Sequence, residues 1–301
     1  MSSPNFVPYK HSGQFGMSNL VVVPLAAVAV AFPLGFASAY VAKWIPFIIL
    51  RVLLTVGYGI AVGVFGTWLL KRGKVRNNII ALLGGAFIGL VALYFQWNGY
   101  IHTLAGSAPP LLFPDAVWQI MQLLLEKGSW SLKGSGNVTG VILAIVWIVE
   151  AGIIVGFSAL IPFGTISTTP YCETTRCWLD AERKIDTLAA FTDATQIAAL
   201  KRDDLGPLLQ AKPRLPGSAT FARITLKHSP KCKIFNTLRL ENISTAIDKE
   251  GNPKETTTQL LRDLVLPASM FELITKFENF AARAPASDGP PPPPPAPPAQ
   301  A

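Results

Sequence analysis

The chain has 301 residues, a formal net charge of +8 and a mean hydropathy of +0.39, with 50% hydrophobic and 15% charged residues. That balance excludes an ordinary soluble globular protein. It also argues against nucleic-acid binding, because the excess charge is unevenly placed: residues 1–165 hold nine Lys/Arg and three Asp/Glu, while residues 166–301 hold 17 and 15.

A short polar segment, residues 1–17, leads into four apolar runs at Ser18–Ala42, Trp44–Leu70, Asn77–Ile101 and Thr139–Gly164. Each is about 24–27 residues long, and a helix needs about 20 to cross a bilayer core. Residues 18–165 are therefore expected to form an all-α four-span membrane bundle. Between the second and third runs, Lys71-Arg72-Gly73-Lys74-Val75-Arg76 places four cations in six residues. Short loops rich in Lys and Arg stay on the cytoplasmic side. The expected topology is a multi-pass cell (inner) membrane protein with both termini cytoplasmic. Trp44, Trp97 and Tyr100 then fall near the outer interface and Trp68 near the inner one, as an aromatic belt requires.

Three of the runs carry glycines four apart: Gly59 and Gly63, Gly85 and Gly89, Gly152 and Gly156. Residues at that spacing share a helix face, where glycine lets two backbones approach. All three pairs are expected to be packing seams. The stretch Val21–Trp68 reads as a tight helical hairpin, with Pro24, Pro33 and Pro46 in or beside the first two spans. In the outer loop, Asp115–Lys127 is amphipathic: Asp115 is placed to cap its start, and Ala116, Ile120, Leu123 and Leu124 fall on one face.

Two full charges interrupt the spans, Arg51 in the second and Glu150 in the fourth. Burying a charge in lipid costs about 2.5–3.5 kcal/mol even on insertion scales, so such residues face a partner or a wet cavity. Counted from the outer ends at 1.5 Å per residue, Arg51 lies about 10 Å deep and Glu150 about 16 Å deep. The distance suits an intramembrane ion pair. A polar pathway with Tyr58, Gln96 and Asn98 is a second reading, and an outward-snorkelling arginine with a protonated Glu150 a third.

Residues 166–283 are expected to form a small α+β soluble domain. Asp180–Phe191, Thr192–Lys201 and Asp203–Ala211 read as short helices. Ala219–His228, Lys233–Ile247 and Glu255–Leu266 read as strands, the last two joined by a turn at Asp248–Asn252. Pro267–Phe280 closes the domain as a helix, with Met270, Phe271, Ile274, Phe277 and Phe280 on one stripe. The three cysteines, Cys172, Cys177 and Cys232, all follow the last span, and reduced cytosolic thiols are expected. With His228 they form a set of four candidate zinc ligands, spaced C-x4-C and H-x3-C; zinc is the one cofactor the sequence raises. The tail, residues 284–301, contains the run Pro290–Pro295 and is disordered by composition, an extended spacer.

Lys74-Val75-Arg76-Asn77 between two spans, followed by a Cys-Glu…Cys-Trp start to a tail of strands, resembles uncharacterised bacterial four-span inner-membrane proteins with a cytoplasmic zinc-ribbon-like C-terminal domain. The resemblance implies an inner-membrane location and a metal-binding tail. It differs at position 235, which is Phe where that pattern has a further cysteine. No Walker loop, G-x-S-x-G, H-E-x-x-H or G-x-G-x-x-G motif is present, so the reading leans away from an enzyme. What the sequence favours is a membrane-anchored interaction module presenting a cytoplasmic domain. The alternative is a small transporter or channel component that uses Arg51 and Glu150. The expected partners are the lipid bilayer, an unidentified protein and further copies of the chain, with no nucleic acid.

Overall fold

The computed structural model describes residues 6–16, 19–45, 48–106, 110–111, 113–129 and 137–279. The expected Pro-rich spacer lies outside these residues. The chain divides into two units: His11–Tyr171, and Cys172–Ala301 joined by Met1–Lys10.

The first unit is helical: α1 (Asn19–Trp44), α2 (Ile48–Arg72), α3 (Asn78–Ala105), α4 (Pro114–Lys127) and α5 (Gly140–Thr168). All but α4 are long and apolar enough to cross a membrane. The most apolar windows of these four helices are only 11–33% buried within the protein, so most of their apolar surface faces outward. Val141, Ile148 and Leu53 are 76%, 70% and 60% exposed, which suits lipid and not water. Asn77 starts α3 by accepting from the Ile79 and Ile80 N–H groups at 2.9 and 3.1 Å, satisfying two of the donors a helix start leaves open.

Two of the three glycine pairs are seams. A Cβ on Gly63 would stand 2.7 Å from the Phe157 carbonyl oxygen, and one on Gly85 would stand 2.3 Å from that of Ser158. These glycines bring α2 and α3 against α5. Pro162 contributes at the second seam: it has no N–H to return to the Ser158 carbonyl four residues earlier, and the Gly85 backbone closes on that oxygen. The third pair differs from expectation. Around Gly152 and Gly156 there is no atom within 4 Å of a built Cβ, because these two positions face away from the seams that Ile153, Ile154 and Val155 of the same stretch make with Gly59 and Gly89. The expected tight hairpin is also redistributed. α1 packs mainly on α3 and less on α2, since Gly35 and Gly99 admit the α3 and α1 backbones, with built Cβ contacts of 2.6 Å to Phe95 and 2.9 Å to Phe36.

The expected amphipathic piece is α4, but it starts one residue before Asp115, with Phe113 in the cap position and no side-chain cap. Pro114 at the first helical turn supplies the start instead. Val117 is its buried residue, while Trp118 and Leu123 are exposed.

After α5 the chain forms a two-stranded ladder, β1 (Tyr171–Cys172) and β2 (Cys177–Trp178). An antiparallel four-stranded sheet follows in the order β3 (Ala181–Ala189), β4 (Thr220–Ser229), β5 (Cys232–Ile247), β6 (Pro253–Pro267). Short helices α6 (Ala194–Leu200) and α7 (Gly206–Leu209) lie between β3 and β4; α8 (Ser269–Thr275) and a 3-10 turn (Lys276–Asn279) end the domain. Leu226, Leu238, Leu240 and Leu264 are fully buried in its core, with Ile274 and Phe277 of the closing stripe.

The expected helix at Asp180–Phe191 is the strand β3. Its residues are good helix formers, and Ile185 and Leu188 are spaced as on a helix face. A bulge explains the spacing: Ile185 pairs with Ile224 but Leu188 pairs with Ala222, three residues against two. The extra residue turns both side chains inward, and both are buried.

Within the N-terminal segment, residues 6–10 group with the second unit. Val7 and Tyr9 pair with the outer edge of β6: Val265 N–H donates to the Val7 carbonyl at 3.0 Å and Tyr9 N–H to the Asp263 carbonyl at 2.8 Å. Phe6 packs against the core and Tyr9 stacks on Phe235. On the opposite edge, Arg214 and Ala189 N–H groups link 212–214 to the end of β3. Both edges are thereby partly covered.

Candidate functional site

Arg51 is on the first turn of α2, and helical spacing puts Thr55 above it on the same face. Gln96 and Tyr100 repeat that spacing on α3, and Trp147 and Glu150 lie three apart on α5. These three faces converge on a cavity of about 240 Å3, whose lining also includes Lys43 from the last turn of α1 and Ser129 after α4. Every contributing helix end is the one away from the Lys71–Arg76 loop, so the cavity sits in the opposite half of the bundle.

Arg51 and Glu150 line this cavity together, but no direct ion pair joins them among the described residues. The Arg51 Nε donates to the Ile45 carbonyl at 3.0 Å, the last carbonyl before Pro46, and the Thr55 hydroxyl donates to the Arg51 carbonyl at 3.0 Å. This fixes the guanidinium at the α1–α2 turn and leaves its remaining N–H groups toward the cavity. Leu54, Leu93 and Val146 supply apolar wall, and Trp97 meets Trp147 edge-on at 4.8 Å. The result is an amphiphilic chamber with one carboxyl group, two basic side chains and an aromatic wall.

Of the further polar candidates, only Gln96 reaches the cavity. Tyr58 donates to the Ala92 carbonyl at 2.9 Å and ties α2 to α3. Asn98 receives the Leu111 N–H at 2.6 Å while Tyr94 donates to the Leu111 carbonyl, so these two hold Leu111, between α3 and α4, against α3. Lys43, Thr55 and Trp147 were not among the residues singled out from the sequence. Their spacing of three or four from Arg51 and Glu150, for the latter two, is the signal that identifies them.

In the second unit, Cys172 and Cys232 are buried and Cys177 half-buried around Leu179 and Phe235, all three as free thiols. The Thr175 hydroxyl lies 3.1 Å from Cys177 Sγ. Burial pushes the Cys172 thiol up from its ordinary value. Burial also opposes ionisation of Cys232, but the backbone at Phe235 and Ile234 and the Cys172 thiol outweigh it and draw its value down. His228 turns to Phe271, with ring centroids 4.8 Å apart. Burial and then the Arg183 charge hold its imidazole below the usual value. Among the described residues no group of three or more His, Cys, Asp or Glu is arranged to hold a metal.

Comparison with known proteins gives no match: neither a family model, a curated protein nor a solved structure aligns with the chain.

Proposed function

We propose that the chain is a multi-pass cell-membrane protein whose four-helix anchor displays a small α+β domain at the cytoplasmic face, where it docks a protein partner. The pairing of Val7 and Tyr9 with β6 carries this reading. Residues before the first span and residues after the fourth share one folded body, as an even number of crossings demands, and the Lys71–Arg76 loop supports the inner side for both. The docking role is supported by an arm in which β5 and β6 run past the core to a tip at Ile247, which is 77% exposed. Its outer edge from Pro253 to Gln259 is exposed and has no strand partner among the described residues. Such an edge accepts a strand from another chain.

The amphiphilic cavity favours a second reading, a small transporter or channel component that uses Arg51 and Glu150. Cross-linking the intact chain in its native membrane separates the two. Capture of one protein through β6, abolished by Thr257→Pro, supports docking. No capture, together with a liposome flux that Glu150→Gln abolishes, replaces it with transport.

A further inference from the structure

We infer that the cavity between α2, α3 and α5 binds a zwitterion carrying an ammonium group beside an anionic oxyacid, the chemistry of an aminophospholipid headgroup. The inference is independent of the docking reading.

It starts from a mismatch in the chamber. A basic and an acidic side chain face one space within membrane-spanning helices, yet no direct ion pair joins them among the described residues. Arg51 spends Nε on the Ile45 carbonyl, and its other N–H donors have no acceptor among the described residues. The Glu150 carboxylate likewise has no donor among them. A charge in such surroundings is stable when a counter-charge reaches it. A guest bearing only an anion satisfies Arg51 and leaves Glu150 exposed to repulsion; a guest bearing only a cation does the reverse. A guest with both charges satisfies both.

The walls sort the guest further. The guanidinium offers parallel donors suited to a phosphate or carboxylate, with Lys43 adding a second positive charge at the end of α1. Trp147 and Trp97 line the same cavity as Glu150, and aromatic rings attract an ammonium group. A volume of about 240 Å3 is below that of a drug-sized pocket and suits a headgroup-sized fragment. The cavity lies among spans whose outer surfaces suit lipid, so a headgroup carried by acyl chains is the source favoured over a free solute.

The test uses the full chain in detergent, with native mass spectrometry of bound phosphatidylethanolamine, phosphatidylglycerol and free glycerophosphoethanolamine. Phosphatidylethanolamine is expected to bind at least about tenfold more tightly than phosphatidylglycerol. Glu150→Gln is expected to erase that preference and Arg51→Gln to weaken both lipids, with Arg51→Lys retaining part of the binding and serving if Arg51→Gln does not fold. Gly152→Ala, away from the cavity, is expected to bind like the parent. Competition by free glycerophosphoethanolamine at the same concentration as the lipid supports the zwitterion chemistry and identifies the source as a solute. Equal binding of the two lipids, a preference that survives Glu150→Gln, or no binding by any of the three overturns the inference.

Discussion

Arg239 grips Asp263 with two parallel hydrogen bonds, Nε to Oδ1 at 3.2 Å and Nη2 to Oδ2 at 2.6 Å, and Asp263 is a bulged residue of β6 with φ +37°. Leu238 pairs with Leu264 and Leu240 with Leu261, so Arg239 stands opposite the extra residue. The carbonyl of that same Asp263 receives Tyr9. One ion pair thus stabilises a backbone conformation that most side chains resist and presents the edge to the N-terminal residues Val7 and Tyr9.

Asp263→Ala is expected to destabilise the second unit by about 2–3 kcal/mol, since it removes a half-buried charge-assisted pair and puts alanine at positive φ. Asp263→Asn tolerates the conformation and loses only the charge, so it is expected to cost about half as much. Urea unfolding of the full chain in detergent, read by protease protection of the sheet, measures both. Equal costs would remove the backbone contribution.

The glycine seams give a graded prediction. Gly85→Ala drives a methyl into the Ser158 carbonyl, 2.3 Å away, and is expected to cost about 1–3 kcal/mol of bundle stability by overpacking. Gly152→Ala meets open space and is expected to stay within about 0.5 kcal/mol of the parent. Thermal aggregation midpoints in detergent rank them; a Gly152→Ala loss as large as that of Gly85→Ala contradicts the seam assignment.

Removing residues 2–9 is expected to destabilise a domain that begins more than 160 residues later in the sequence. The deletion takes away two ladder hydrogen bonds and the Phe6 and Tyr9 contacts. Faster proteolysis within β6, with the helical unit unchanged, is the expected readout. Unaltered protection of β6 would show that these residues contribute nothing.

His228 sets a pH dependence. Its imidazole is held below the usual value by burial first and by Arg183 second, so the unfolded chain binds the proton more readily than the folded one. Stability from this group is complete above about pH 6.5, the unfolded value, and is lost as pH falls from there toward the lowered folded value. His228→Phe keeps the packing on Phe271 and is expected to flatten that decline. An unchanged acid slope in urea titrations from pH 7.5 to 5 rejects the assignment.

Much of this architecture is set by local chemistry that a sequence displays. Run length and hydropathy mark four helices for lipid, because only a continuous apolar stretch of that span satisfies its backbone inside a bilayer. The composition break near residue 165 separates that unit from a domain of strands, and Arg51 and Glu150 stand out because a charge in such a run is rare. Other features depend on residues distant in sequence, and only the tertiary structure decides them. Glycine spacing is the same in all three pairs, yet a seam exists only where another backbone arrives, as at Gly63 and Gly85 and not at Gly152. The helical spacing of Ile185 and Leu188 was produced by a bulge, which pairing with β4 creates. Val7 and Tyr9 bond to the sheet because β6 offers its edge to them. Arg51 and Glu150 meet across a chamber and not in a pair, because the carbonyl at Ile45 holds the guanidinium at the turn. Local sequence determines what each segment is suited to; which partner it meets is a property of the packed chain.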